Sequence, residues 1–381
     1  MKEKPWKGWV PGVLSQKQIK ALSKFKYIQN FINDKDSIDF SAFDLHLTDD
    51  VYQMKKGSIK PSKDKYSKYL DNAELAIKVK PSNNEFILKR KHTYVAKIKE
   101  QFNHFEQLKD AQIHGQATAK STIGRVDVLA RLIIDGMDEY DSLHPDCFDE
   151  NISDGFMYLE ISPITFNVKI KGNISLSQLR LFYGSPDDSI IHNSQLLYKT
   201  TLHHTNKDGT LSVDLDSVKI KNEDCIALSA KNIAEPLQLW GKNIYEADKF
   251  WKLEKWNSLS PQKRLIIKKN IFYILRSEEK ISLPRSIAVY CKAMDEALGE
   301  MRIHYAGFVH PYFGFDRKDG IDGTPLIFEV RGHDVNVSLA DNEKLAKLIF
   351  YRMSETVSPG QNPAGDYGKQ TLKLSKIFKT F

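Results

Sequence analysis

The segment Ala119-Lys120-Ser121-Thr122-Ile123-Gly124-Arg125 gathers two cations, two hydroxyls and a glycine within seven residues. Lys and Arg bring charge, Ser and Thr bring donors, and Gly lets backbone N–H groups approach an oxyanion. Such a set suits a phosphate or a pyrimidine, and it also suits a plain surface turn. Glu160 follows Arg125 by 35 positions, inside the apolar run Met157-Tyr158-Leu159-Glu160-Ile161. Alternation puts it on the strand face opposite Leu159. A strand carboxylate facing a cavity is a candidate general base, its pKa raised by desolvation and lowered by a nearby Arg. On an outward face it is a solvated glutamate.

Other chemistries find fewer residues. Cys147, Cys225 and Cys291 lie far apart, no HxE precedes a PCxxC, and the histidines are scattered. No zinc or other protein-held metal site is expected from such spacing. No GxxxxGK[ST], strand-GxGxxG-helix or GxSxG stretch occurs. The 381 residues carry 56 Lys+Arg against 49 Asp+Glu, a net charge of +7. That mild excess suits a phosphate-bearing ligand or simply a basic surface. There is no long K/R run, RNP-type aromatic motif or finger pattern, so nucleic acid is not expected as a partner. No apolar run approaches the ~18 residues of a membrane span. The opening MKEKPWKGWVPG has no apolar signal region. With separated cysteines, these features predict a cytoplasmic protein with no membrane partner.

The elements that must position these residues occur twice. Ser15 precedes a helical pattern, Gln16 to Leu22, and the second half has a helix start at Ser194 to Tyr198. Strand patterns at Ser41–Leu47, Thr93–Lys97, Met157–Ile161 and Leu179–Tyr183 are answered in order by Leu211–Leu215, Phe272–Arg276, Leu326–Val330 and Leu348–Tyr351. The intervals agree: Glu160 to Tyr183 is 23 residues and Glu329 to Tyr351 is 22. Val126–Ile134 and Arg302–Phe308 also read as strands, and Ser260–Lys269 as the one further helix. Many short strands predict a mainly β chain of two tandem barrels with few short helices. The expected division is 1–190, 191–353 and a mobile tail, 354–381, with the boundary in Gly184–Ile191.

Lys120-Ser121-Thr122-Ile123-Gly124-Arg125 followed by Tyr158-Leu159-Glu160 resembles the dCTP deaminase branch of the dUTPase-like superfamily. The two-copy layout resembles that branch's tandem bacterial form, with His304-Tyr305-Ala306-Gly307-Phe308 and Phe328-Glu329-Val330-Arg331-Gly332-His333 in the second half. The tail from Tyr367 to Ser375 is similar too, while Asp49 to Lys89 matches poorly. The resemblance implies distorted β-barrels in a homo-oligomer, with sites at domain or subunit contacts. It implies zinc-independent hydrolysis of dCTP to dUTP and ammonia, with Mg2+ accompanying the triphosphate. Glu160 matches the general base, and Ser121 and Arg125 match the residues that orient water and polarise the pyrimidine. Lys120 and Thr122 would line the phosphates, and Tyr367, Lys369 and Gln370 would close over them.

The match is incomplete in two places. Asp141 only loosely fits the sugar-binding turn, and His310 stands where the second half should carry an acid. The second half also lacks the hydroxyl pair and Arg of the clamp, having Cys291 to Glu296 instead. The halves are therefore expected to complement each other, with Ala306, Gly307 and His310 walling a site on Ser121, Arg125 and Glu160. Glu329 is the reserve base. A dUTPase, a bifunctional deaminase-diphosphatase and a non-catalytic nucleotide-binding protein on the same fold stay open at this point.

Overall fold

The computed structural model describes residues 4–34, 37–147, 152, 155–192, 197, 201, 208–255, 263–294, 301–304, 307–314, 323–358 and 371–381. Both halves follow one antiparallel order. In the first half the neighbours run Val128–Ile134, Gly155–Pro163, Tyr94–Phe102, Phe43–Met54, Ser175–Tyr183, Ile113–Ala119 and Ser142–Leu143. In the second they run Met301–His304, Thr324–Gly332, Phe272–Ile281, Thr210–Asp214, Lys344–Arg352, Ile287–Ala293 and Phe308–Val309. Each sheet curls into a barrel-like layer, and the strand repeats expected from the sequence fall in equivalent places.

The halves differ at one strand. The twelve residues of Phe43–Met54 form a single strand. Its counterpart is split between Thr210–Asp214 and Glu223–Ala230, and both pieces pair with Phe272–Ile281. Alternation fixes what points inward: Phe43, Leu45 and Leu47 are buried, as are Leu211, Val213 and Leu215. Each barrel pins this strand with a buried glutamate. Glu100 accepts from His46 N at 2.9 Å, and Glu279 accepts from Ser212 N at 2.8 Å. Both lie beside register shifts, where the ladder leaves a backbone donor to satisfy.

Helices are few among the described residues. Gln16–Lys24 forms as expected, with Ser15 and Gln18 closing a capping box. Of the expected second helix start, Ser194 to Tyr198, all but Leu197 lies outside the described residues. Ser260–Lys269 is a correction. Its described part contains the strand Arg264–Ile267, paired with Val337–Ala340, with Leu265 and Ile267 buried and Ile266 exposed between them. So short an apolar run takes its conformation from the strand beside it.

The halves share a core. Phe250, Trp251 and Phe272 of the second half join Leu159 and Phe166 of the first in one apolar cluster. Leu237–Gln238 pairs in parallel with Val168–Lys169. The expected mobile tail also needs correcting where it is described. Leu372, Leu374, Ile377 and Phe378 belong to that same cluster, and Phe378 packs on Tyr245, Phe250 and Trp251. Apolar residues at these positions gain more by burial than they lose in chain entropy. Near the N-terminus, a Cβ on Gly12 would lie 2.7 Å from Ser354 N, so only glycine lets the two ends approach. Arg180, fully buried, donates to Val289 O at 3.0 Å across the same contact.

Candidate active site

The clamp residues lie at the end of Ile113–Ala119. Lys120 is the extended N-cap of the one-turn helix Ser121–Gly124, and Arg125 is its C-cap. Ser121 is exposed, Thr122 half-buried and Arg125 buried. Lys120 Nζ pairs with Asp44, whose carboxyl is raised by burial and lowered by that lysine. Arg125 reaches into the second half: its Nε stands 3.9 Å from Glu329 Oε1, and each side chain is under a tenth exposed.

Glu329 lies on Thr324–Gly332. Phe328 points into the second-half core, so alternation turns Glu329 the other way, towards the first half. Burial raises its pKa well above the usual carboxylate range, Arg125 opposes that, and Asp127 adds to it. Cys291 is close enough to Glu329 for its thiol, already raised by burial, to be pushed up to about 12.

Glu160 stands elsewhere. It is opposite Arg131 and Val95 in its sheet, four residues before Ile164, whose N–H donates to Asp127 O. Ile164 is about 13 Å along the chain direction from Glu160. Tyr140 Oη donates to Glu160 Oε2 at 2.9 Å, and Ser58 also bonds it. Burial raises its pKa, and those bonds and Arg131 oppose the rise. The face it shares with Tyr158 is covered by Met54, Tyr66, Leu70 and Ala76. These come from the same Asp49–Lys89 stretch that fits the family pattern poorly. Residues of this stretch thus cover the Glu160 face, while the Glu329 face is turned towards the clamp.

Asp141 joins the Glu160 group. It accepts from Leu132 N at 2.7 Å and meets Arg131 Nε at 3.4 Å. Burial pushes its carboxyl up to about 6 against those two partners. Gly307 O accepts from Cys291 N at 2.9 Å, as Asp141 O accepts from Ala117 N at 2.8 Å, so Asp141 and Gly307 are counterparts. The partner of His310-Pro311 is therefore His144-Pro145, a repeated dipeptide visible in the sequence. His310 Nε2 lies 3.2 Å from Asp39 Oδ2, with burial lowering its pKa and Asp39 opposing. Ala306, Tyr367, Lys369 and Gln370 lie outside the described residues.

Among the described residues no three His, Cys, Asp or Glu side chains converge to hold a metal ion. Among the described residues no helix is long and apolar enough to cross a membrane.

Two barrels of one topology, with a buried guanidinium of one facing a buried carboxylate of the other, define a tandem β-barrel protein with a candidate site between its halves. Family models narrow this further. The 2'-deoxycytidine 5'-triphosphate deaminase (DCD) N-terminal domain matches residues 10–185, and the DCD C-terminal domain matches residues 187–378. The chain belongs to the dCTP deaminase family. Among solved structures it is similar to the 2'-deoxycytidine 5'-triphosphate deaminase from Agrobacterium tumefaciens, with 25% identity and a TM-score of 0.77. The match covers 91% of this chain and 99% of that one. A search of curated protein sequences finds no match.

Proposed function

We propose that the chain hydrolyses the 4-amino group of dCTP, with Glu329 as general base and Ser121 and Arg125 as its partners across the two halves. The observation that carries this reading is the buried Arg125–Glu329 pair at 3.9 Å. Ser121 and Arg125 are the residues that match the family's clamp, and Glu329 is the strand glutamate beside Arg125.

The chemistry follows from these groups. Glu329 takes a proton from water as the oxygen attacks C4 of the cytosine. Arg125 stabilises the charge that develops, and the Ser121 hydroxyl orients the water or the ring. The proton held by Glu329 passes towards N3 and the amine. The C4–N bond breaks, ammonia leaves, and C4 becomes a carbonyl, so dCTP and water give dUTP and ammonia. Burial suits Glu329 to this task, because a carboxylate with a raised pKa is a stronger base.

In this reading Glu160 does not carry the proton, since Tyr140 and Ser58 already hydrogen-bond it. Lys120 serves the site through Asp44 rather than by direct phosphate contact. The Gly307–His310 turn walls the far side. Tyr367, Lys369 and Gln370 close over the triphosphate, which Mg2+ accompanies as part of the substrate. The protein acts as a homo-oligomer in the cytoplasm. The division of the chain at Gly184–Ile191 agrees with the limits of the two family models.

The test is incubation with dCTP and, separately, dUTP, followed by chromatography and ammonia measurement. Stoichiometric dUTP and ammonia support the reading. Formation of dUMP and pyrophosphate adds the diphosphatase activity. Nucleotide binding without product identifies a sensor.

A further inference from the structure

Two positions beyond each member of the Arg125–Glu329 pair stands a charge of the opposite sign. Asp127 follows Arg125, and Arg331 follows Glu329 on the same face of its strand. Arg331 Nη2 pairs with Asp127 Oδ2, and the two side chains are 10% and 0% exposed. Thr165 completes the group: its hydroxyl donates to Asp127 Oδ2 at 2.5 Å and lies 3.2 Å from Arg331 Nη2. The first half thus presents plus then minus, and the second minus then plus. A two-residue slide of the second-half strand would set Arg331 against Arg125, so the crossed charges admit one register.

Asp127 is also anchored by its backbone. Its N–H donates to Gly124 O at 2.8 Å, and its carbonyl accepts from Ile164 N at 3.0 Å. It holds φ at +57°, in the left-handed region that costs most residues energy and that Asp and Asn tolerate best. The turn therefore ties the Asp127 carboxylate to the clamp helix.

The Arg125–Glu329 contact lies two positions from this anchor in each half. At 3.9 Å the Nε–Oε1 contact is too long for a hydrogen bond. A closed guanidinium–carboxylate pair bonds in parallel at about 2.8 Å. That closure would weaken the base and fill the space a water must occupy.

We propose that Asp127 and Arg331 are positioning residues for deamination: their buried pair holds the two halves in the register that keeps Glu329 near Arg125 but apart from it. The inference rests on the reading that Glu329 and Arg125 act on dCTP. It assigns Asp127 and Arg331 no contact with the reacting atoms.

The test uses the full chain and the variants Asp127→Asn, Arg331→Gln and the double variant. Asn keeps the left-handed turn accessible, and removing both charges leaves no buried ion alone. The double variant is expected to keep the wild-type melting temperature within a few degrees. Its kcat should fall about 10- to 100-fold, the effect of a displacement of about an ångström, with a smaller change in KM. The single losses should not add, because both break one pair. If the double variant does not fold, Arg331→Lys is read in its place by the same criteria. A folded variant with wild-type kcat, or a loss wholly in KM, overturns the inference. If Glu329→Gln also keeps wild-type turnover, the base assignment has failed instead.

Discussion

Replacing Glu329 by Gln keeps the shape of the side chain and an acceptor for Arg125, and removes the base. General-base catalysis contributes about 10²- to 10⁴-fold, so kcat should fall by that factor, or about 3–5 kcal/mol of barrier. The structural cost is of different origin. At 3.9 Å the Arg125–Glu329 attraction is about 4 kcal/mol gross at an effective dielectric near 20, and the desolvation of both groups opposes it. Burial outweighs Arg125 in setting the Glu329 pKa, so the ionised carboxylate favours the unfolded chain as pH rises above its ordinary range. Gln carries no such penalty, and loss of activity should not be loss of fold. The assay is ammonia release and dUTP chromatography from dCTP, with a thermal melt and calorimetric dCTP binding as controls. Glu160→Gln is the companion, and it should keep turnover within a few-fold. An active Glu329→Gln beside an inactive Glu160→Gln would move the base to Glu160 and refute the cross-half site.

Arg125→Gln should lower kcat and move the acid limb of the rate profile to higher pH. Arg125 lowers the Glu329 pKa, and the base must be ionised to accept a proton. A pH series of kcat/KM for dCTP decides this, and an unmoved limb contradicts it. Asp135→Asn should stabilise the fold at pH 7.5. Asp135 is 1% exposed, and burial pushes its pKa up to about 6 from an ordinary 3.8. A raised carboxyl pKa favours the folded state fully below the ordinary value and costs it progressively up to the folded one. The gain, at most about 3 kcal/mol, should therefore shrink as pH falls from 6 to 4. Melting curves across that window test it, and a gain independent of pH is the contrary result. Phe378→Ala should cost about 3–5 kcal/mol, because the ring is 4% exposed among three other aromatics. Urea unfolding measures the loss. A change below about 1 kcal/mol would mean the tail is not part of the core.

The same packing bears on separating the halves. Residues 1–190 alone would lack Trp251, Phe272 and Phe378 from their core. An inactive isolated half would then report unfolding as much as a missing partner. Point variants at Arg125 and Glu329 ask the question within the intact fold.

Much of the architecture was legible from local pattern. Strand alternation and the matching intervals around Glu160 and Glu329 are properties of short stretches, and the barrels repeat them. The Ser15 cap depends on residues three apart, and it forms as expected. The clamp could be picked out because its cations and hydroxyls are consecutive. Local pattern failed at Arg264–Ile267, where the partner strand Val337–Ala340 decides the conformation. It failed again in the tail, where Leu372 and Phe378 are buried by residues more than a hundred positions away.

The catalytic pairing belongs to this second class. Period-two alternation shows that Glu160 and Glu329 each leave the core on one side of a strand. It cannot show what covers that side. The stretch from Asp49 to Lys89 brings Tyr66 and Ser58 over Glu160, and docking of the halves brings Arg125 to Glu329. The sequence by itself determined two like strands, each with an acid opposite its core face, and one clamp. Only the tertiary structure decided which acid the clamp meets, because that contact joins residues 204 positions apart that share no local constraint.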